Sequence, residues 1–227
     1  MANHLDLEEQ EQIDQLKHFW NTWGTLISSA LLLIFGSIAI WNGYQFWQNR
    51  QSMQAAALLE ELSTSVLAKN ESRVGQAFND IREKYASTHQ AVQAGLLASK
   101  AAQEKPGPVK PEDALSWVAQ SGADEGYKSI ARLRLASLLM EKGAYDEALQ
   151  QLAVAFPPEF EAIVADRKGD IQMLQQKPTD AVQQYLLAHE KSGANPEYRR
   201  LVEFKLNALG VNPSGSSAAS AGKGVAG

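Results

Sequence analysis

Residues 19–49 constrain the fold of this chain more than any other stretch, because these thirty-one residues contain no Asp, Glu, Lys or Arg. A helix rises about 1.5 Å per residue, so residues 25–44 alone would span about 30 Å, the thickness of the hydrocarbon core of a bilayer. Apart from small hydroxyls, the centre of the segment has no polar face for water. A buried helix of a soluble core rarely runs this long without charge. The segment therefore predicts one transmembrane helix.

Aromatic residues flank the apolar segment on both sides, as they do where rings lie at the depth of lipid headgroups. They are Phe19, Trp20 and Trp23 before it, and Trp41, Tyr44, Phe46 and Trp47 after it. The segment is too long, and the residues before it are too acidic, for a cleaved signal peptide, so we expect it to remain as an anchor. Lys17 on one side balances Arg50 on the other, and the charge count does not fix the orientation.

The net charge of the 227 residues is −5, and residues 1–18 carry −4 of it, from one lysine and five acidic residues. This acidic arm is either a solvated tail or a segment that docks on a partner. No basic field of the kind that binds phosphate backbones is present, so we expect the main body to bind no nucleic acid. The chain has no cysteine, which excludes disulfides, thiolate metal ligands and cysteine nucleophiles.

Apolar residues recur at helical spacing from residue 50 to Lys69 and again from Val74 to Tyr85, and we interpret residues 50–93 as linking helices. No two-residue alternation is sustained as far as Leu209, so the sequence predicts an all-α chain. Asn195 and Pro196 open a last helix suited to capping the domain. Residues 211–227 are nearly all Ser, Ala and Gly, a composition typical of a disordered tail.

A repeat organises residues 94–210, where Ala114, Ala148 and Ala181 follow one another at intervals of 34 and 33 residues. This is the period of tetratricopeptide repeats, in which small residues let two antiparallel helices cross closely. Gly143 would end the first helix of the middle copy and Tyr145 would fill the turn. The sequence predicts a tetratricopeptide-like α-solenoid of antiparallel helix pairs, although chance alanines would give the same spacing.

The second and third copies allow more detailed expectations. In the middle copy, Ala148, Leu152 and Ala155 are expected on the second helix. In the third copy, Gly169 is expected on the first helix and Tyr185 on the second.

The first helix of each pair forms most of the inner wall of such a solenoid, which is the usual place for a bound peptide. We expect this wall to mix apolar, flexible and acidic side chains. The candidate partner-binding residues are Leu133, Ser137, Met140, Asp166, Asp170 and Met173, with Ile130 and Ile163 beside them. The alternative is that most of these side chains form the core between repeats.

Asp166 and Asp170 could also be interpreted as paired catalytic carboxylates. The four histidines have no ligand spacing, and no phosphate-binding loop or nucleophile elbow is present. We expect the two aspartates to pair with nearby Arg or Lys or to face a peptide, and we expect no enzymatic activity, cofactor or metal. Within the anchor, Ser29, Gly36 and Gly43 fall seven residues apart, a spacing that would let another transmembrane helix approach closely.

Two segments carry a resemblance to a known family. They are residues 131–136, ARLRLA, and residues 162–170, AIVADRKGD, with weaker support from residues 205–207, KLN. Together with the acidic arm, the anchor and the repeats, they make the chain similar to the YfgM family, the ancillary subunits of the bacterial SecYEG translocon.

The resemblance implies a single-pass protein of the bacterial inner membrane, with a cytoplasmic N-terminus (residues 1–18) and a periplasmic repeat domain. It also implies three partners: the SecYEG translocon, a membrane-anchored periplasmic chaperone of the prolyl-isomerase type, and exported unfolded polypeptides. The expected function is a non-enzymatic interaction module that assists the handover and folding of exported proteins. The alternative is a scaffold that binds one folded partner in an envelope assembly or division complex.

Overall fold

The computed structural model describes residues 7–121, 124–193 and 195–213, and within these ranges every regular element is helical. The helices are α1 (Leu7–Leu67), α2 (Glu71–Lys84), α3 (His89–Glu104), α4 (Pro111–Gln120), α5 (Glu125–Glu141), α6 (Tyr145–Gln151), α7 (Glu161–Leu174), α8 (Pro178–Lys191) and α9 (Pro196–Ala208), with a 3₁₀ turn at Pro158–Phe160. The all-α fold class is confirmed. The predicted disordered tail falls mostly outside the described residues.

The first compact unit extends to Met53, and its described residues form the first part of α1. Its large apolar side chains are uncovered: Leu32 is 73% and Ile40 is 76% exposed. Apolar side chains on a helix without a covering layer from their own chain require an apolar solvent. Among the described residues, α1 is the one helix long and apolar enough to cross a membrane.

The predicted small-residue face of the anchor is open. A Cβ atom added at Gly36 or Gly43 would meet no heavy atom within 4 Å. The Ser29 hydroxyl donates to the carbonyl of Thr25 at 2.5 Å, so its hydrogen-bonding capacity is satisfied within the helix. Contact of this face with another helix stays a prediction.

The second compact unit begins at Gln54, and in it each helix from α2 to α9 packs against the next. Its first core cluster joins Ala55 and Leu62 of α1 with Phe78 and Ile81 of α2 and with residues of α3 and α4. Residues 54–93, which belong to the segment 50–93 interpreted as linking helices, share a core with the first predicted repeat. Their apolar faces recur at helical spacing and would be left in water if the helices only linked two domains.

The three repeat-marking alanines, Ala114, Ala148 and Ala181, are fully buried. Two glycines add to the close approach of paired helices. A Cβ at Gly95 would lie 2.6 Å from Cγ2 of Val118, and a Cβ at Gly169 would lie 2.5 Å from Cε1 of Tyr185. The mechanism expected from the repeat spacing, close crossing at small residues, is confirmed.

The turn of the middle repeat also agrees with the sequence. Gly143 adopts a φ of +76°, a conformation that favours glycine. Its N–H donates to Met140 at 3.1 Å, and the N–H of Ala144 donates to Leu139 at 2.9 Å, which satisfies the last carbonyls of α5.

The second helix of the middle repeat is shorter than expected. Helix α6 ends at Gln151, and Ala155, predicted to lie on it, is exposed beyond its end. Two consecutive prolines, Pro157 and Pro158, keep a helix from continuing through residue 156, although α6 already ends at Gln151. A residue before proline avoids helical dihedrals, and proline itself cannot donate the helical hydrogen bond.

Candidate functional site

A groove of about 690 Å³ lies between α5, α7 and the start of α9. Helix α5 contributes Ile130, Leu133, Arg134 and Ser137, whose spacing of three and four residues places them on one helical face. The volume lies within the range of about 300–1,000 Å³ that is typical of ligand pockets. The groove therefore has room for a few side chains of a bound peptide.

The other walls come from the next two repeats. Helix α7 supplies Ala162, Ile163 and Arg167, and the preceding 3₁₀ turn adds Phe160. The end of α8 and the beginning of α9 complete the lining with Lys191, Ser192, Asn195 and Tyr198. Apolar side chains from different helices thus face one space, which is what binding an apolar peptide side chain requires.

The charged side chains that line the groove are mainly basic: Arg134, Arg167 and Lys191 against Glu159. The ammonium of Lys191 lies 2.8 Å from Glu161, and this hydrogen bond raises the pKa of Lys191. Neither arginine forms an ion pair with a described residue. The Nε atom of Arg167 is buried and has no hydrogen-bond partner in the described part of the chain.

Asp166 and Asp170 lie in a separate polar cluster between α7, α8 and α9. Lys205 donates to Asp166 at 2.7 Å and to Asp170 at 2.6 Å. The Tyr198 hydroxyl donates to Asp166 at 2.9 Å, and the Tyr185 hydroxyl donates to Asp170 at 2.9 Å. We call these five residues the lysine–aspartate cluster. The cluster holds three helices together through charge-assisted hydrogen bonds.

Burial raises the pKa of both tyrosines in this cluster. A hydrogen bond to Asp170 raises the pKa of Tyr185 further, and the negative charge of Asp166 does the same for Tyr198. Both phenols therefore stay protonated and act as hydrogen-bond donors. Because the Tyr198 ring also lines the groove, the cluster positions part of the groove wall.

The cluster corrects one expectation from the sequence. Asp166 is 7% exposed, and the carboxylates of Asp166 and Asp170 bind partners within the fold, so they do not give the wall an acidic character. The alternative expectation, pairing with a nearby basic residue, is confirmed by Lys205. In α7 the face that carries Ile163 and Arg167 points to the groove, and the face of the aspartates points to α8 and α9.

The remaining candidate residues divide into two groups. Leu133 and Ser137 line the groove, as do the neighbouring Ile130 and Ile163. Met140 packs against the core beside Ala148, and Met173 is 36% exposed but does not line the groove. A role of these residues in binding a partner stays a prediction.

Sequence reasoning missed the two arginines of the groove. Arg134 follows Ile130 by four residues, and Arg167 follows Ile163 by four residues, so each shares a helical face with a residue that was predicted to line the wall. Extending the helical register would have found both. The contribution of Phe160 and Tyr198 depends on how the repeats pack, which helical spacing alone does not reveal.

Comparison with known proteins places the chain in a sequence family. Residues 17–211 match the family described as "Tetratricopeptide repeat-like domain". A protein of Neisseria gonorrhoeae named "Ancillary SecYEG translocon subunit" is 30% identical over 92% of this chain and 100% of its own length. Proteins of the same name from Haemophilus influenzae and Escherichia coli are 30% and 24% identical, each over 89% of this chain and over 98% and 97% of their own lengths. No solved structure matches the chain.

Proposed function

The chain belongs to the family of ancillary SecYEG translocon subunits with a tetratricopeptide repeat-like domain, and from this premise we propose that it binds segments of exported, unfolded polypeptides and assists their handover and folding. The observation that carries the proposal is the groove between α5, α7 and α9. It is lined by apolar side chains from successive repeats and is wide enough for peptide side chains.

A membrane anchor supports this function because it makes weak binding sufficient. A site tethered near the exit of a channel meets emerging chains at a high effective concentration, so it needs no tight affinity. Fast release then allows a bound segment to pass to a folding factor. The association with SecYEG is inferred from the names of the relatives, and a membrane-anchored periplasmic chaperone of the prolyl-isomerase type is the second proposed partner.

The proposed location is the bacterial inner membrane, with residues 1–18 in the cytoplasm and the repeats in the periplasm. This orientation places the groove on the side where translocated chains emerge. The function requires no catalytic group. The proposed interaction is noncovalent and reversible.

Site-specific crosslinking tests the proposed function. The chain has no natural cysteine, so Ser137→Cys gives a single attachment point for a thiol-linked photocrosslinker inside the groove. Ser72→Cys on the exposed surface of α2 is the matched control. We expect Ser137→Cys in cells to capture many different newly exported chains, with few captured from the control position. Capture of one folded partner and no exported chains would contradict the proposal and favour a scaffold.

A further inference from the structure

Two positive charges in the groove have no carboxylate partner in the described part of the chain. Arg134 from α5 and Arg167 from α7 reach the groove from two different repeats, and neither pairs with a carboxylate among the described residues. Elsewhere in this domain, basic side chains do find partners, as Lys142 does with Glu112 at 2.5 Å and Lys105 with Glu71 at 2.6 Å. The groove therefore brings two guanidinium groups that lack an ion-pair partner among the described residues to one space.

The guanidinium of Arg167 also has a donor without an acceptor among the residues that the structure describes. Its Nε atom is buried without a hydrogen-bond partner in the described ranges. A buried donor that lacks an acceptor is unfavourable by about 1–3 kcal/mol, and buried polar atoms in native proteins are nearly always satisfied. Because this atom is closed off from solvent, an acceptor in the groove reaches it only when the Arg167 side chain turns toward the groove.

The side chains around the arginines define what that acceptor belongs to. Ile130, Leu133, Phe160 and Ile163 provide apolar contacts within the same groove. A guanidinium presents its donors in a planar fork that matches a carboxylate. Glu159 also lines the groove but forms no ion pair with either arginine, so it does not neutralise them.

We propose that the groove selects segments of unfolded polypeptide in which an acidic side chain lies next to apolar side chains, with Arg134 and Arg167 binding the carboxylate. This inference rests on the proposed function and adds a substrate class to it. The apolar side chains provide contact area, and the arginines select by charge. Lys-rich segments are excluded because they would bring like charges together.

A peptide-binding measurement on the full-length protein in mild detergent micelles tests the selection. The probes are three fluorescent peptides that share one apolar sequence and differ only in a central pair of residues, which is Glu, Gln or Lys. We expect the Glu peptide to bind about tenfold more tightly than the Gln peptide, the equivalent of one charge-assisted hydrogen bond. Raising the salt concentration should weaken only the preference between them.

Charge-reversal variants identify the residues responsible. Arg134→Glu and Arg167→Glu should each abolish the preference for the Glu peptide and improve binding of the Lys peptide, a gain that a misfolded variant would not show. Arg73→Glu on the exposed surface of α2 makes the same charge change outside the groove and should leave the order of affinities unchanged.

The outcomes separate this inference from the proposed function. Equal affinities for the Glu and Gln peptides, unchanged in both arginine variants, would overturn the charge selection and leave general peptide binding intact. Binding of none of the three peptides would overturn the charge selection as well. The crosslinking from position 137 would then decide separately whether the groove meets exported chains at all.

Discussion

Helices α7 and α8 approach each other closely at Gly169, where a Cβ atom would lie 2.5 Å from the Tyr185 ring. The ring is 3% exposed and its hydroxyl is bound to Asp170, so it has little freedom to move. Alanine in a helix is usually more stable than glycine by about 0.5–1 kcal/mol. Here we expect the opposite effect. Gly169→Ala should lower the free energy of unfolding by about 1–3 kcal/mol, because the extra methyl group overfills the space between the two helices.

Urea denaturation followed by circular dichroism in mild detergent measures this effect. Gly193→Ala, in the turn after α8, controls for the added methyl group alone, since a Cβ there would meet no heavy atom within 4 Å. Equal stability of the two variants would contradict the close crossing of α7 and α8.

Lys205 is the cation of the lysine–aspartate cluster and binds both Asp166 and Asp170. We expect Lys205→Met to destabilise the domain by about 1–3 kcal/mol, less than for a fully buried pair because Lys205 is 25% exposed. The denaturation midpoint measures the loss. Lys84→Met removes the exposed pair with Asp80 and should leave the midpoint nearly unchanged. If both variants behaved alike, the cluster would be no more than a surface ion pair.

The hydrogen bonds that join α8 and α9 to α7 depend on the protonation of Tyr185 and Tyr198. The pKa of both phenols is raised in the folded state above the value of about 10 found in an unfolded chain. The unfolded state therefore loses these protons first as the pH rises. The contribution of the two protonated phenols to the free energy of unfolding is therefore complete below about pH 10 and decreases above it.

Denaturation midpoints across the alkaline range measure this dependence. Tyr198→Phe should lower stability near neutral pH by about 1 kcal/mol, since the hydrogen bond to Asp166 is lost, and should make the alkaline decline less steep. An alkaline decline of unchanged slope would show that Tyr198 does not contribute to it.

The sequence predicts helices and turns well where residues close together in the chain determine them. The period of 33–34 residues identified the helix pairs, and Gly143 identified the end of α5, because helix crossing and a positive φ each demand particular small residues. The sequence does not predict the features that depend on residues far apart in the chain. The burial of residues 54–93 depends on which helices they meet, and the direction of Asp166 depends on Lys205, thirty-nine positions away.

At the scale of the whole molecule, the anchor decides where the repeat domain is held. We expect Leu33→Arg to reduce the membrane-bound fraction, because an arginine at the centre of a transmembrane helix is unfavourable by about 2.5–3.5 kcal/mol. Gln51→Arg, beyond the apolar segment, is the control and should remain membrane-bound. Cell fractionation measures both. A Leu33→Arg variant that stayed fully in the membrane fraction would place the membrane contact elsewhere in the chain.

The orientation of the anchor then determines whether the groove can meet exported chains. The charges that flank the apolar segment balance, so orientation must be measured. Because the chain has no cysteine, Gln12→Cys and Ser72→Cys each carry one thiol, on opposite sides of the apolar segment. With the outer membrane made permeable, an impermeant thiol reagent should label Ser72→Cys at once and Gln12→Cys only after the inner membrane is disrupted. The reverse pattern would place the repeats in the cytoplasm, where the groove would meet chains before export, and the proposed handover would be ruled out.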